Sequence, residues 1–173
     1  MQVILMNNRT KSQSGVTLIE LMITAVIIGL VAMMAVPRFQ IAYSRLQYKS
    51  ANRDMISTLK LARSMAITNK RQFGVHLDGE TRAVTLFQDV APGTYEFDEA
   101  ADSVVRVDTL PPDFSYVATD MTNDVIFFRA NGSADFEGGG NIHTMAYTQS
   151  VVALYDTNIL ASTGRVHSDS HYY

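Results

Sequence analysis

An almost uninterrupted apolar run near the start of the chain, residues 16–36, constrains the fold more than any other feature. It contains a single charged side chain, Glu20. As an α-helix rising about 1.5 Å per residue, the run would be roughly 31 Å long, which matches the hydrocarbon thickness of a bilayer. This length argues against a buried core helix. We therefore predict a transmembrane helix.

Glu20 needs a separate explanation. A carboxylate inside a bilayer costs about 2.5–3.5 kcal/mol at a helix centre and less near the boundary, and such an acid usually has a partner. The alternative is that Glu20 lies at the membrane–water interface. A secretory signal would have an apolar run of about 7–15 residues before a small-residue cleavage site, and residues 32–35 fit that pattern poorly. A plain signal anchor fits the hydropathy but gives no reason for Glu20.

The residues around the start of the run carry a resemblance. Residues 11–22 read Lys-Ser-Gln-Ser-Gly-Val-Thr-Leu-Ile-Glu-Leu-Met, which resembles the prepilin processing motif of the type IV pilin and pseudopilin superfamily. The resemblance implies that a prepilin peptidase cleaves after Gly15 on the cytoplasmic side and that the new amine of Val16 is N-methylated. The family usually has Phe at this first mature position. Pro37 falls where the family often carries a helix-kinking proline.

The charges at the implied cleavage site suggest a role for Glu20. Cleavage after Gly15 would create a cationic amine on Val16, about one helical turn from Glu20. In an assembly, Glu20 of one subunit could pair with the amine of a neighbour, so that neither charge stays alone in lipid. We therefore expect the loss of Glu20 to impair assembly more than folding.

An amphipathic pattern continues the helix beyond Pro37. Apolar residues recur at steps of three and four residues, which predicts a helix from about Thr17 to Thr68. The stripe consists of Met55, Ile56, Leu59, Ala62 and Ala66, widened by Leu61 and Met65. We expect this stripe to pack on the head and the basic residues to form a solvated face. Contact of those bases with anionic lipid or acidic neighbours stays open.

From residue 71 onwards the pattern changes to strands and turns. Seven or eight short strands predict an antiparallel two-sheet head, and residues 89–102 predict a surface loop. The predicted strands are 73–77, 83–87, 104–110, 125–128, 142–148, 151–155, 159–161 and 165–167. The predicted fold is α+β, with a long N-terminal helix packed on a β-sandwich-like head. The predicted segments are a leader (1–15), a transmembrane half-helix (16–36), an amphipathic half-helix (37–70) and the head (71–173).

Three segments beyond the apolar run extend the resemblance. Residues 57–69, 125–134 and 159–166 resemble corresponding stretches of the GspH/FimT-type minor pilins and pseudopilins. This implies a minor subunit, which enters a helical filament or its tip.

The charges are divided unevenly along the chain. Residues 38–71 hold eight Lys and Arg residues and one acid, whereas residues from 72 onwards hold four Arg and fifteen acids. An acidic head repels phosphate, and we therefore do not expect nucleic-acid binding. Some family members bind DNA through a basic Gly-Arg-x-Arg-like stretch, which residues 164–167 resemble with a His in place of the second base. Arg165 is thus a weak candidate for contacting DNA. The alternative is that Arg165 forms an ion pair on the surface.

No catalytic constellation is evident, and we predict no enzyme activity, cofactor or metal. The chain has no Cys, which excludes thiolate chemistry and disulfides, and its four His residues lack metal-ligand spacing on a helix. His167, Asp169 and His171 alternate near the C-terminus, where we favour a solvated tail over a metal site.

One further candidate metal site is a calcium site. Asn131, Asp135, Glu137 and Asn141 could offer oxygens around Gly138–Gly140. We favour a flexible, acidic hairpin connection there and do not expect calcium.

The resemblance, together with the apolar run and its single acid, implies a single-pass protein of the bacterial inner membrane with its head in the periplasm or outside. We expect a minor pseudopilin at or in the tip of a type II secretion pseudopilus. The alternatives are a minor pilin of a type IV pilus, serving motility, adhesion or DNA uptake, and a membrane-tethered enzyme or binding domain. The expected partners are a prepilin peptidase, other pilins or pseudopilins and the inner-membrane assembly platform.

Overall fold

One long helix dominates the N-terminal part of the chain. The computed structural model describes residues 15–90, 93–148 and 151–173, so residues 1–14 of the predicted leader lie outside it. Helix α1 spans Leu18–Asn69, one residue later at each end than predicted. It contains Pro37, and the kink expected there stays a prediction. The chain divides into two compact units, one ending at Gln40 and the other running from Ile41 to Tyr173.

Nine strands follow the helix in the described residues, all paired antiparallel. They are β1 (Phe73–Asp78), β2 (Ala83–Gln88), β3 (Ser103–Thr109), β4 (Phe114–Met121), β5 (Val125–Phe128), β6 (Ala134–Asp135), β7 (Gly138–Thr148), β8 (Val151–Leu160) and β9 (Arg165–Tyr172). A five-stranded sheet has the order β3-β2-β1-β5-β6, and a four-stranded sheet has the order β4-β7-β8-β9. The α+β class and the two antiparallel sheets are thus confirmed.

The helix from Tyr48 onwards shares one apolar core with both sheets. The predicted stripe is confirmed in its centre, where Met55, Leu59 and Ala62 are almost completely buried. Leu61, expected at its edge, is 37% exposed. A stripe spaced at three and four residues lies along one side of a helix, and here that side faces the sheets.

Polar residues complete the buried face of the helix, which the apolar pattern did not predict. Thr58 Oγ1 donates to the Asp108 carboxylate at 2.7 Å, and Asn52 Nδ2 donates to Ser168 Oγ at 3.2 Å. Tyr48 is fully buried. These contacts tie the helix to β3 of one sheet and β9 of the other, so both sheets are fixed against the same helical face.

The glycines expected in a flexible connection instead begin strand β7. The reason is a tight contact with β4: a Cβ on Gly139 would overlap the Asp120 carboxylate. The backbone N–H and side-chain amide of Asn141 donate to that carboxylate at 2.8 and 2.7 Å. Burial raises the pKa of Asp120, but these hydrogen bonds outweigh it and hold the pKa below its usual range.

Three other strand predictions need correction. Strand β4 was not predicted, because its polar residues obscure the alternation. The two strands expected at 151–155 and 159–161 form the single strand β8. Strand β9 runs to Tyr172, so His167, Asp169 and His171 belong to a paired strand and not to a free tail.

The acidic loop between β2 and β3 is anchored by two aromatic side chains in its described part, residues 93–102. Tyr95 and Phe97 pack against a small second apolar cluster of Phe87, Val125 and Phe127. Phe97 also stacks on the ring of His76, with centroids 5.2 Å apart. The predicted surface loop is therefore held on the five-stranded sheet by its aromatic side chains.

Candidate functional site: the helix start and a basic groove

Helix α1 begins at Leu18, and two residues separate it from the predicted cleavage bond. Residues 15–17 are not helical, and the Glu20 N–H donates to Thr17 Oγ1 at 3.3 Å. The Leu21 N–H donates to the Thr17 carbonyl at 3.2 Å. Thr17 is therefore the N-cap, and Thr-Leu-Ile-Glu has the spacing of a capping box. The motif thus has a local structural role in setting where the helix starts.

Gly15 lies in an open environment. A Cβ built on it would meet nothing within 4 Å, and neighbouring Val16 is 64% exposed. Packing within the chain therefore places no demand for glycine at this position. The bond between Gly15 and Val16 is accessible, and the described fold does not account for the glycine.

The Glu20 side chain is exposed at the first turn of α1. Its carboxylate has no hydrogen bond or ion pair within residues 15–90, 93–148 and 151–173. The positive end of the helix dipole favours an acid here. In a membrane, however, an unpartnered carboxylate needs a counter-charge, and the described residues supply none.

The first half of α1 exposes its entire apolar surface. Every residue from 15 to 40 is exposed, and in the described residues α1 is the one helix long and apolar enough to cross a membrane. Thr24 satisfies its hydroxyl within the helix by donating to the Leu21 carbonyl at 2.9 Å. Since monomeric soluble proteins rarely expose apolar patches above a few hundred Å², this surface requires lipid or other apolar helices.

The residues weighed for calcium do not converge. Asn131 accepts hydrogen bonds from Ser133, whereas Asp135 pairs with Arg129 and Asn141 binds Asp120. Among the described residues there is no group of three or more His, Cys, Asp and Glu side chains placed to hold a metal.

The C-terminal histidines lie on the exposed side of the four-stranded sheet. His167 and Asp169 approach to 3.4 Å on β9, and on the neighbouring strands His143 Nδ1 contacts Asp156 at 2.7 Å. These contacts are exposed pairs between single histidines and single acids, which contribute little to stability.

Arg165 lies where the turn after β8 enters β9. Gly164 makes that turn with a φ of 62°, a conformation that glycine adopts without strain. Arg165 is exposed and has no ion pair among the residues that the structure describes, so the surface pair expected for it is not observed. The fold instead places it beside two bases of the helix.

These bases line an open groove of about 690 Å³. We call it the basic groove, and its lining residues are Lys60, Arg63, Thr163, Gly164, Arg165 and Val166. Arg63 Nε donates to the Gly132 carbonyl at 2.9 Å, which fixes one wall. Sequence reasoning missed the groove because the helix and strand β9 are far apart in the chain. The three-residue spacing of Lys60 and Arg63, which places both bases on one side of the helix, was the sequence signal that could have indicated one wall of the groove.

The comparison with known proteins concerns the N-terminal segment. Residues 10–36 match the family model described as the prokaryotic N-terminal methylation motif. The match includes Gly15, Val16 and Glu20 and extends over the apolar part of the helix. No curated protein and no solved structure matches the chain.

Proposed function

The chain carries the N-terminal methylation motif that marks prepilins of the type IV pilin and pseudopilin type, and from this premise we propose that it is a minor subunit of a pilin-like filament. A prepilin peptidase cleaves it after Gly15, and the Val16 amine is then methylated. The mature helix carries the subunit into the filament core. The class marked by this motif is structural, and we propose an assembly role without catalysis.

One observation carries this proposal: an apolar helix that starts at the motif, is exposed along its first half, and bears a single acid. Lipid can cover such a helix before assembly, and the apolar helices of neighbouring subunits can cover it afterwards. Glu20 lies one turn from the predicted new amine on Val16. Pairing between Glu20 of one subunit and the amine of its neighbour would neutralise both charges and set the register between helices.

We place the helix in the bacterial inner membrane and the head in the periplasm. The machine we favour is a type II secretion pseudopilus, with the chain at or near its tip. A minor-pilin role in a type IV pilus is the second candidate, because the exposed helix and the processing segment would serve either assembly. Other pilins or pseudopilins and the inner-membrane assembly platform are the partners in both cases.

Processing is tested by co-expressing the full chain with a prepilin peptidase. We expect N-terminal sequencing of the product to begin at Val16 and its mass to include one additional methyl group. The Gly15→Val variant should stay uncleaved. Gly29→Val is the matched control, because Gly29 is a second glycine with open space around it. A wild-type chain that keeps its leader would contradict the proposal.

The choice of machine is tested by a clean deletion in the native host. Loss of protein secretion with normal surface pili supports the type II pseudopilus. Loss of pili, motility or DNA uptake with normal secretion supports the type IV pilus and rejects the pseudopilus.

A further inference from the structure

The basic groove has no assigned role, although the fold builds it from two distant segments. Lys60 and Arg63 are three residues apart on α1 and therefore share one side of the helix. Arg165 reaches the same groove as the first residue of β9. We propose that this groove docks a carboxylate-rich loop of a neighbouring subunit. The identification of that partner as a subunit rests on the proposed function. The expectation that the partner is acidic rests on the basic lining of the groove alone.

The groove is held in shape by the turn between β5 and β6. Arg63 Nε is bound to the Gly132 carbonyl in that turn. Gly164 is buried against the same carbonyl, which a Cβ on residue 164 would overlap. The positions of Arg63 and of the backbone before Arg165 are thus fixed before any ligand arrives. Preorganisation of this kind lowers the entropic cost of binding.

The charges in the groove are not balanced by the residues around it. None of its six lining residues is acidic. Neither Lys60 nor Arg165 forms an ion pair in the part of the chain that the structure describes. Lys60 and Arg63 belong to the basic stretch 38–71, and Arg165 adds a base from the segment after residue 72, which is otherwise mostly acidic. Such a cluster of bases steers and orients an acidic partner.

A second group of bases extends this positive surface across the same turn. Lys70, Arg71 and Arg129 line a neighbouring groove of about 430 Å³. Arg129 is already paired with Asp135, and Asp89 also lines this second groove. Of these two grooves, the basic groove therefore has the less internal charge compensation.

The lining favours an acidic polypeptide over a nucleic acid. Single-stranded nucleic acids are held by aromatic side chains on which bases stack, together with a basic track along the backbone. No aromatic residue lines the basic groove. Val166 and Thr163 instead offer a small apolar contact and a hydroxyl, which suit a peptide segment with carboxylate side chains.

Binding is tested on the full-length protein in a non-ionic detergent, with a fluorescent peptide of ten glutamates as the probe. We expect the wild-type protein to bind the peptide with a salt-dependent affinity. The double variant Lys60→Glu/Arg165→Glu should bind at least tenfold more weakly. Lys49→Glu/Arg53→Glu is the matched control, because it makes the same change in net charge at two exposed bases of the same helix outside the groove. Arg165→Ala is a milder variant, used if the double variant loses its native circular dichroism.

Three outcomes would overturn the proposal. Equal weakening by Lys49→Glu/Arg53→Glu would mean that the peptide responds to overall charge and not to the groove. Unchanged binding by natively folded groove variants would mean that it binds elsewhere. Tighter binding of a ten-nucleotide single strand, abolished by the same groove variants, would assign the groove to nucleic acid. Peptide binding is measured without cleavage or assembly of the protein. If the prepilin peptidase did not cleave after Gly15, the filament role would be rejected, but the peptide-binding result could still be interpreted.

Discussion

The two halves of helix α1 meet different physical demands. Residues 18–40 expose their apolar side chains on all sides, whereas the helix from Tyr48 onwards buries one face in the head core. A helix that is apolar all round belongs in lipid or among other helices, and a helix with one apolar stripe packs on a domain. The difference teaches that the first half needs lipid or other apolar helices around it, whereas the second half is stabilised by its own fold.

The largest expected effect is on the role of the first half of α1 in assembly, with no effect on the stability of the second half. Replacing Glu20 by Ala should abolish incorporation into the filament, because the neighbour's amine would lose its counter-charge in an apolar environment. Thermal unfolding of the head should not change. Co-purification of each variant with the filament measures the first effect, and Asp54→Ala, which removes an exposed acid of the same helix, is the control. Normal incorporation of Glu20→Ala would contradict this pairing.

The next effect is on the packing of the second half of α1 in the head core, and the first half should be unaffected. Leu59 is fully buried, and Leu59→Ala should lower the free energy of unfolding by about 2–5 kcal/mol because it leaves a cavity in the core. Denaturant unfolding of the full chain in detergent measures this loss. Leu61→Ala is a matched control on the same helix, since Leu61 is 37% exposed. Equal losses of unfolding free energy in the two variants would show that the helix does not bury Leu59 more completely than Leu61.

The sequence predicted those parts of the molecule in which one periodic signal dominates. The apolar run, the Met55–Leu59–Ala62 stripe and the β1–β2 hairpin follow from local patterns. Strand β4 and the inclusion of Gly138–Gly140 in β7 could not be predicted locally, because they depend on a pairing partner. Close approach to Asp120 explains the glycines only once β4 is in place.

The candidate sites show the same division between local and long-range signals. The cleavage motif is a continuous segment, and its residues could be named from the sequence alone. The basic groove joins Lys60 and Arg63 of the helix to Arg165 of the last strand, and only the tertiary fold brings them together. Net charge was a poor guide here, because an acidic total conceals a local basic surface.

A smaller effect tests the polar contacts between the helix and the sheets. Thr58→Val removes the hydroxyl that donates to Asp108 at 2.7 Å while keeping the shape of the side chain. We expect a loss of about 1–3 kcal/mol in the free energy of unfolding, because charge-assisted hydrogen bonds contribute this much. Asp108 also accepts from Arg106 at 2.8 Å, so the effect should lie near the lower limit. An unchanged midpoint in denaturant would contradict it.

The smallest effect concerns the dependence of stability on pH. Burial lowers the pKa of His76 below its usual 6.5, although Asp78 and Asp124 act in the opposite direction. The folded protein therefore binds this proton less readily than the unfolded chain. This contribution to stability is present above pH 6.5 and declines as the pH falls below that value. We expect the melting temperature to decrease between about pH 7.5 and 5.5.

Substitution of His76 separates this contribution from those of the other histidines. In His76→Gln the decrease over that range should become smaller, because the group that resists protonation is absent. His167→Gln, which removes an exposed histidine of β9, is the matched variant. Asp78 titrates at lower pH, because hydrogen bonds from Thr81 hold its pKa below the usual range. A decrease that persists unchanged in His76→Gln would assign the pH dependence to another group.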